Sequence, residues 1–374
     1  MQTLSVISTV SVNILWAIDK GDSTVGASIL RRLAVVAVAL GLVAAACGSG
    51  GGGSTSANSS AHVDLRLGYF PNLTHATALV GVANGIFAKD LGSNVTLQSK
   101  TFNAGPAAIE ALFANSLDIT YVGPNPAINA FQKSNGQAVR LLAGATSGGA
   151  GLVVKPSINS AADLKGKKLA SPQLGNTQDV ALRTWLKTQG LNTTPEGGGD
   201  VQILPQDNAQ TLDTFKSGQI EGAWVPEPWT SRLVIDGKGK LLVNEASLWP
   251  GGKFLTTTVI VRTAFLKDHP DVVRNFLKGH VEATDYVNQH PAEAQQAANT
   301  AIAQLTGKAL SNAVVTSAWT NLGFTWDPLA STLRKEATDA KAVGLLQNTN
   351  LTGLVDVGPL NTVLKAAGKP TVTG

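Results

Sequence analysis

The hydrophobic positions from residue 64 onward alternate between two periods. Short β-branched or apolar runs, typical of strands, are separated by longer stretches in which apolar residues recur every three or four positions, as in helices. The runs that predict strands are 65–69, 95–100, 119–122, 141–145, 168–171, 201–204, 222–225 and 256–261. This alternation predicts parallel α/β layers, in which ligands bind at the carboxyl ends of the strands.

One predicted helix follows a loop of small polar residues, in the segment 171–186. Asn176 or Thr177 is placed to cap this helix, and Asp179 lies in its first turn. Backbone N–H groups at such a start, together with the positive end of the helix dipole, favour an anion. An anion site is therefore one interpretation of this segment, and an ordinary capped helix is the other.

Two distant segments, 113–131 and 215–233, share one pattern: a helix end, a strand that ends in aromatic-Val, and a Pro-x-Pro loop. The similarity predicts a chain built from two similar lobes. In each lobe the second proline is expected at the first helical position, which leaves later N–H groups free.

The start of the chain has the pattern of an exported lipoprotein. Two arginines precede an apolar run over 33–46 that is too short to span a bilayer and suits a signal peptide. Cys47, the only cysteine, follows directly, and a Gly/Ser-rich tether comes next. We expect a signal peptide over 1–46, of which 1–24 belong to a start read too early, and a lipid-modified Cys47 beginning a tether over 47–63.

Composition argues against several functions. The chain has 29 basic and 25 acidic residues and a formal net charge of +4, with no concentrated basic cluster, so we expect no nucleic-acid partner. No Gly-x-Ser-x-Gly elbow and no paired His/Cys/Asp pattern is present. With a single cysteine, cysteine-rich iron chemistry also lacks ligands. We therefore expect a protein that is not an enzyme and that uses no cofactor or metal.

Five stretches carry a family resemblance: "LRLGYFPNLTHATALVGVANGIF", "FNAGPAAIEALFANSLDITYVGPNPAINAF", "SAADLKGKKLASPQLGNTQDVAL", "GAWVPEPW" and "TTTVIVRTAFLKDHPDVV". Together they resemble the solute-binding proteins of ATP-driven importers, in the branch for aliphatic sulfonates, nitrate and taurine. The resemblance runs from residue 64 to about 289. It implies an α/β, two-lobed type II periplasmic-binding-protein fold with a ligand cleft between lobes joined by two hinge crossings.

The glycine clusters in 144–154 and 249–265 suit these crossings. Lobe one is then expected over 64–149 plus 258–374, and lobe two over 150–257. Carried over position by position, the resemblance implies ligand-binding residues in five loops: Asn72, His75, Phe102, Asn103, Gly123, Asn125, Gly175, Asn176, Thr177, Gln178, Trp224, Glu227 and Trp229.

These residues suit an anion with an apolar tail. An ionised sulfonate accepts several hydrogen bonds and needs no counter-charge if enough N–H and hydroxyl donors surround it. Aromatic rings such as Trp224 and Trp229 would cover an alkyl group, although both rings also suit a lobe core. Glu227 suits a helix cap, but facing the cleft it would repel a bare anion and attract an ammonium group. His75 is the one histidine in a predicted site loop, and the other four are expected at the surface.

The resemblance implies a lipid-anchored, monomeric receptor on the outer face of a bacterial cell membrane. It would capture a small organic anion, first of all an aliphatic sulfonate, and deliver it to an ABC permease, with the ATPase acting indirectly. Nitrate, taurine and a pyrimidine-type thiamine precursor are alternative ligands. A role in presenting the ligand to a membrane sensor is a further alternative.

Overall fold

A computed structural model describes residues 62–374. The predicted signal peptide, Cys47 and most of the tether lie outside the described residues. The described part contains the strands β1 (Val63–Tyr69), β2 (Val95–Thr101), β3 (Ile119–Val122), β4 (Val139–Gly148), β5 (Ala150–Val154), β6 (Lys168–Ser171), β7 (Gln202–Pro205), β8 (Gly222–Pro226), β9 (Lys240–Asn244), β10 (Leu255–Arg262) and β11 (Leu322–Phe324). All eight predicted strands are confirmed, and β5, β9 and β11 were not predicted.

The strands form two sheets, one in each lobe, with the orders β11-β4-β10-β3-β1-β2 and β7-β6-β8-β5-β9. The prediction of parallel layers is correct for β1 with β2 and β3, and for β6 with β7 and β8. It is wrong for β10, β4, β11, β5 and β9, which pair antiparallel. β5 and β10 are the first strands after the chain passes from one lobe to the other, and each enters its new sheet from the opposite end.

The two sheets have equivalent topology. The order β2-β1-β3-β10-β4 in lobe one matches β7-β6-β8-β5-β9 in lobe two, with the same parallel and antiparallel pairings. β3 and β8, which belong to the two similar sequence segments, occupy equivalent positions. The prediction of two similar lobes is therefore confirmed.

Helices cover both sheets. They are α1 (Ala76–Ala83), α2 (Ile86–Leu91), α3 (Gly105–Phe113), α4 (Pro124–Lys133), α5 (Thr177–Thr188), α6 (Asn208–Lys216), α7 (Trp229–Ile235), α8 (Thr263–Asp268), α9 (Pro270–Gln289), α10 (Pro291–Thr306), α11 (Asn312–Trp319), α12 (Ala330–Ala342) and α13 (Gly358–Ala366), with short 3-10 turns at Leu73–His75, Ala161–Leu164, Glu245–Leu248 and Pro250–Gly252. Within the described residues, no helix combines the length and the apolar character needed to cross a membrane.

The Pro-x-Pro loops differ from the prediction. Pro124, not Pro126, is the first residue of α4, because Pro124 already suits a position that needs no N–H donor. In lobe two, Pro226 ends β8 and Pro228 caps α7. The second proline therefore does not begin either helix.

Two chain crossings join the lobes. The first lies between β4 and β5 at Gly148 and Gly149, which have φ values of +79° and +74°. A Cβ at Gly148 would lie 2.7 Å from the Asn321 carbonyl oxygen, so both the backbone and the packing require glycine there. The second crossing runs from β9 to β10. The domain boundaries at residues 149 and 258 stay predictions.

Candidate functional site

A small cavity of about 20 Å³ lies between the lobes. Apart from Thr256, near the start of the antiparallel β10, its lining comes from the carboxyl ends of the parallel strands of both sheets and from the loops that follow them, as the strand pattern predicted. The residues that line it are Phe70, Asn72, Thr74, His75, Asn103, Gly123, Pro172, Asn176, Thr177, Gln178, Asn208, Pro226 and Thr256. Seven of the thirteen predicted ligand-binding residues are in this set.

The cavity lining carries no Lys, Arg, Asp or Glu side chain. Its polar groups are amides, hydroxyls and one imidazole, most of them buried. Uncharged donors of this kind can hold an anion through hydrogen bonds alone, or a neutral polar molecule. They provide no charged partner for a cation.

His75 is a neutral hydrogen-bond donor in this cavity. The Phe70 N–H donates to His75 Nδ1 at 3.3 Å, and the two rings stack with centroids 4.3 Å apart. Burial lowers the pKa of His75 to about 3. With Nδ1 accepting and the ring neutral, the proton is on Nε2, which can donate to a bound acceptor.

The start of α5 is capped as the sequence predicted, and the cap leaves few donors free. Asn176 Oδ1 accepts from the Gln178 N–H at 3.0 Å. The Asp179 N–H donates to the Asn176 carbonyl oxygen at 3.1 Å, and the Gly175 N–H donates to Asp179 Oδ2 at 2.9 Å. Among the described residues, the Thr177 N–H has no acceptor. We expected several free N–H groups at this helix start. Only the Thr177 N–H remains free among them, because the others donate to Asn176 and Asp179.

Hydrogen bonds cross the cleft at three places around the cavity. Trp229 Nε1 donates to Asn72 Oδ1 at 2.9 Å, and the Asn125 N–H donates to Thr177 Oγ1 at 3.4 Å. On the rim, Asn103 Nδ2 donates to Asp207 Oδ2 at 3.1 Å. These bonds link loops of lobe one to loops of lobe two and close the cavity on three sides.

A larger surface cleft, about 470 Å³, lies next to the cavity. Asn103 and Pro172 line both spaces, so the Asn103–Asp207 hydrogen bond stands between them. Apolar residues, including Phe102 and Pro205, form part of the cleft wall. An anionic head held in the cavity could therefore carry a tail into this cleft.

Six predicted residues do not line the cavity: Phe102, Asn125, Gly175, Trp224, Glu227 and Trp229. Trp229 and Asn125 act indirectly, through their bonds to Asn72 and Thr177. The expectation for Trp224 needs correction. Its side chain is fully buried in the lobe-two core, 6.1 Å from the Trp185 ring, and its Nε1 donates to Glu245 Oε2 at 2.7 Å.

The Glu227 carboxylate accepts hydrogen bonds from the first turn of α7 and joins the lobes. Its carboxylate accepts from the Ser231 N–H and hydroxyl, each at 3.0 Å, and from Asn321 Nδ2 of lobe one at 2.8 Å. Burial raises the pKa of Glu227, while these donors act in the opposite direction. The Glu227 carboxylate is held by these donors and does not line the cavity. The expectation that it would repel a bare anion and attract an ammonium group therefore needs correction.

Six lining residues were missed: Phe70, Thr74, Pro172, Asn208, Pro226 and Thr256. Asn208 begins α6 directly after β7, so the rule that sites gather at strand ends could have found it. Its Oδ1 is buried without a hydrogen-bond partner among the described residues. Thr256 begins a predicted strand, in a run of β-branched residues, and gave no such signal. His280, expected at the surface, is fully buried between Tyr121 and the Gly144 carbonyl.

The two lobes and the enclosed polar cavity define a binding protein of the periplasmic type. The alkanesulfonate-binding protein SsuA from Xanthomonas axonopodis pv. citri, bound to MOPS, superposes with a TM-score of 0.66 at 22% identity, covering 79% of this chain and 99% of that one. The nitrate-binding protein NrtA from Synechocystis PCC 6803 gives a TM-score of 0.72 at 16% identity, covering 83% and 90%. At these identities the comparison shows the fold.

The family follows from the sequence. The model of the NMT1-like family matches residues 58–303, and the chain belongs to this family. The taurine-binding periplasmic protein of Escherichia coli (strain K12) is 30% identical over 206 residues, which are 55% of this chain and 61% of that protein. A putative binding protein of Brucella abortus (strain 2308) is 26% identical over 236 residues, covering 62% and 69%. The chain is thus a member of the NMT1-like family with the fold of periplasmic binding proteins.

Proposed function

We propose that this protein captures a small organic anion of the aliphatic sulfonate and taurine class and delivers it to an ABC permease. The observation that carries the proposal is the cavity between the lobes, which is lined only by uncharged hydrogen-bonding and apolar residues. A sulfonate stays ionised at physiological pH, so its site needs hydrogen-bond donors and no side chain that would take up a proton from it. The neutral His75 and the free Thr177 N–H are such donors.

The adjoining cleft supports an organic anion over a bare one. A head group in the cavity would place its tail beside Asn103 and Pro172, which lead to the apolar wall at Phe102. The 30% identity to the taurine-binding protein and the fold shared with an alkanesulfonate-binding protein support the same class.

A second candidate ligand is a small inorganic anion such as nitrate or bicarbonate. The observation that favours it is the cavity volume of about 20 Å³, which suits a compact solute. Relatives include a bicarbonate-binding protein CmpA of Synechococcus elongatus, 26% identical over 260 residues.

Calorimetric titration tests these proposals. The purified protein would be titrated with ethanesulfonate, longer alkanesulfonates, taurine, nitrate, bicarbonate, sulfate and a hydroxymethylpyrimidine. Micromolar or tighter binding of a sulfonate, with no heat from nitrate or bicarbonate, is the expected result. Binding of nitrate or bicarbonate alone would favour the second candidate. Heat from the heterocycle alone would contradict an anion site.

We also propose that the protein is a monomeric lipoprotein, anchored through Cys47 at the outer face of the cell membrane. The apolar run that ends at this cysteine supports the anchor. Metabolic labelling with a radioactive fatty acid should mark the wild type and not Cys47→Ala. Equal labelling of both proteins would contradict the anchor. The relatives are named for binding, which supports a role in transport and not in catalysis.

A further inference from the structure

A second cavity, of about 180 Å³, lies between the same two lobes and apart from the ligand cavity. Lobe two contributes α5, the turn Glu245–Leu248 and the residue that follows it, and lobe one contributes α12. Its lining residues are Val180, Ala181, Thr184, Trp185, Thr188, Glu245, Leu248, Trp249, Lys335, Glu336 and Asp339. Helix α5 spans both cavities, because its first residues line the ligand cavity.

Two buried carboxyl groups from opposite lobes meet in this second cavity. Glu245 is 1% exposed and Glu336 is 3% exposed. Glu245 Oε2 accepts from Trp224 Nε1 at 2.7 Å. Glu336 Oε1 is buried and has no hydrogen-bond partner within the described residues, and the same holds for the Thr184 hydroxyl. An ionised carboxylate in that position would be costly.

The surroundings favour the protonated forms. Burial raises the pKa of Glu245 to about 7, although hydrogen bonds from Trp224 and Trp249 act in the opposite direction. Burial, followed by the charges of Glu245 and Asp339, raises the pKa of Glu336 well above its ordinary value. Separation of the lobes would let water reach the cavity side of both groups, and their pKa values would then move toward about 4.3.

Among the described residues, no charged group forms a salt bridge with the pair, although the charge of Lys335 lowers both pKa values. Lys335 lies over the Trp249 ring, 4.6 Å from its centroid, and pairs with Asp339 on the same helix. On α5, Asp179 and Arg183 pair with each other at 3.1 Å, and Lys187 Nζ donates to the Ala342 carbonyl at 2.7 Å. On α4, Lys133 is at the far end of the helix and does not line the cavity. In the part of the chain that the structure describes, no salt bridge reaches Glu336.

A direct path links this cavity to the ligand site. Asn125 Nδ2 donates to the Glu336 carbonyl oxygen at 3.3 Å, and the Asn125 N–H donates to Thr177 Oγ1 at 3.4 Å. Thr177 lines the ligand cavity. The position of α12 against lobe two and the position of the ligand-binding helix start therefore change together when the lobes move.

We propose that Glu245 and Glu336 form a proton-binding pair that ties lobe closure to proton uptake, so that solute capture weakens as pH rises. The direction of this pH dependence follows from the burial of the two carboxyl groups in the closed form. The closed arrangement holds protons that the open one releases, and at high pH closure must either take up a proton or bury a charge. This inference rests on the proposed function in one respect, because solute binding is the measurement that detects closure.

The first test measures proton uptake on binding. Taurine would be titrated calorimetrically at pH 8 in buffers of different ionisation enthalpy, and its Kd measured from pH 6 to 9. In the wild type we expect net proton uptake and a Kd that rises about threefold to tenfold per pH unit above 7.5. In Glu245→Gln/Glu336→Gln, which mimics the protonated pair, we expect no uptake and a change below about twofold per unit. The matched control, Glu110→Gln on an exposed face, should behave as the wild type.

The second test needs no ligand. Urea unfolding from pH 6 to 9 should show the wild type losing stability relative to Glu245→Gln/Glu336→Gln as pH rises. If taurine does not bind, this arm still reports on the pair while the taurine proposal fails. A constant stability difference would overturn the proton pair. A pH-dependent difference without proton uptake on taurine binding would overturn its link to closure. Tightening of taurine binding by added methylammonium at pH 8 would replace the proton site with a cation site.

Discussion

Trp229 of lobe two donates its indole N–H to Asn72 Oδ1 of lobe one at 2.9 Å, across the mouth of the ligand cavity. Asn72 caps the turn after β1, and Trp229 begins α7 after β8. The bond forms only when the lobes approach, and it uses the Asn72 oxygen. Asn72 therefore presents its Nδ2 donor to other groups.

Replacement of Trp229 by Phe should weaken ligand binding about 2- to 10-fold. Phe keeps an aromatic ring but loses the donor to Asn72, and one hydrogen bond contributes about 0.5–1.5 kcal/mol. Calorimetry with taurine or ethanesulfonate checks the change. Trp319→Phe, in the lobe-one core beside Phe324, is the matched control. Equal affinity in wild type and Trp229→Phe would show that this bond does not stabilise the closed form.

Replacement of Thr177 by Pro should weaken ligand binding at least about tenfold, or about 1.4 kcal/mol, without disrupting α5. Proline suits the first helical position, and Asn176, at φ −69° and ψ 160°, suits a residue before proline. The substitution removes both the free N–H and the hydroxyl. Thr177→Val removes the hydroxyl alone. If the two folded variants bind equally well, the Thr177 N–H is not a ligand donor.

Replacement of Gly123 by Ala should prevent full closure and weaken binding more than about tenfold. The added Cβ would lie 2.4 Å from Thr177 Oγ1 across the cleft. Gly123 has φ −68°, which alanine adopts freely, so the melting temperature should change little. Thr177→Ala removes the clashing oxygen. The change Gly123→Ala should therefore cost less affinity in a Thr177→Ala background than in the wild type. Wild-type affinity in Gly123→Ala would mean that ligand binding does not require this contact.

Acid should destabilise the wild type relative to His75→Gln. Burial lowers the pKa of His75 to about 3 in the folded protein, while the unfolded chain has the ordinary value of about 6.5. The stability that comes from the neutral ring is present above pH 6.5 and decreases as pH falls. Between pH 7 and pH 5 the difference in free energy of unfolding should change by about 2 kcal/mol. Urea unfolding at both pH values measures it. A constant difference would show that His75 titrates normally.

The lobe repeat and most strands could be predicted because their signals are local. β3 and β10 are rich in β-branched and apolar residues, and their burial follows from that composition. β5 directly follows β4 with only Gly149 between them. The sequence there is rich in glycine and other small residues, and only the change of sheet shows that a second strand begins after Gly149.

The candidate site also has features that nearby residues predicted and features that only tertiary packing decided. Asn176 or Thr177 was expected to cap α5, and in the structure Asn176 is the cap, with its Oδ1 accepting from the Gln178 N–H. Trp224 and Trp229 flank the same Pro-x-Pro loop, yet one fills the lobe-two core and the other reaches across the cleft. Alternation along β8 and the start of α7 decide which way each ring points, and sequence spacing alone leaves both open.

The sequence by itself determined the alternating elements, the two similar lobes, a helix cap at Asn176 or Thr177 and the family to which the chain belongs. These depend on interactions between residues close in the chain, or on patterns that relatives share. Only the tertiary structure decided which polar groups meet at the cavity, that Glu227 joins the lobes instead of facing a ligand, and that Glu245 and Glu336 lie in one buried space. Those contacts join residues that are far apart in the chain, and the packing of one lobe against the other sets them.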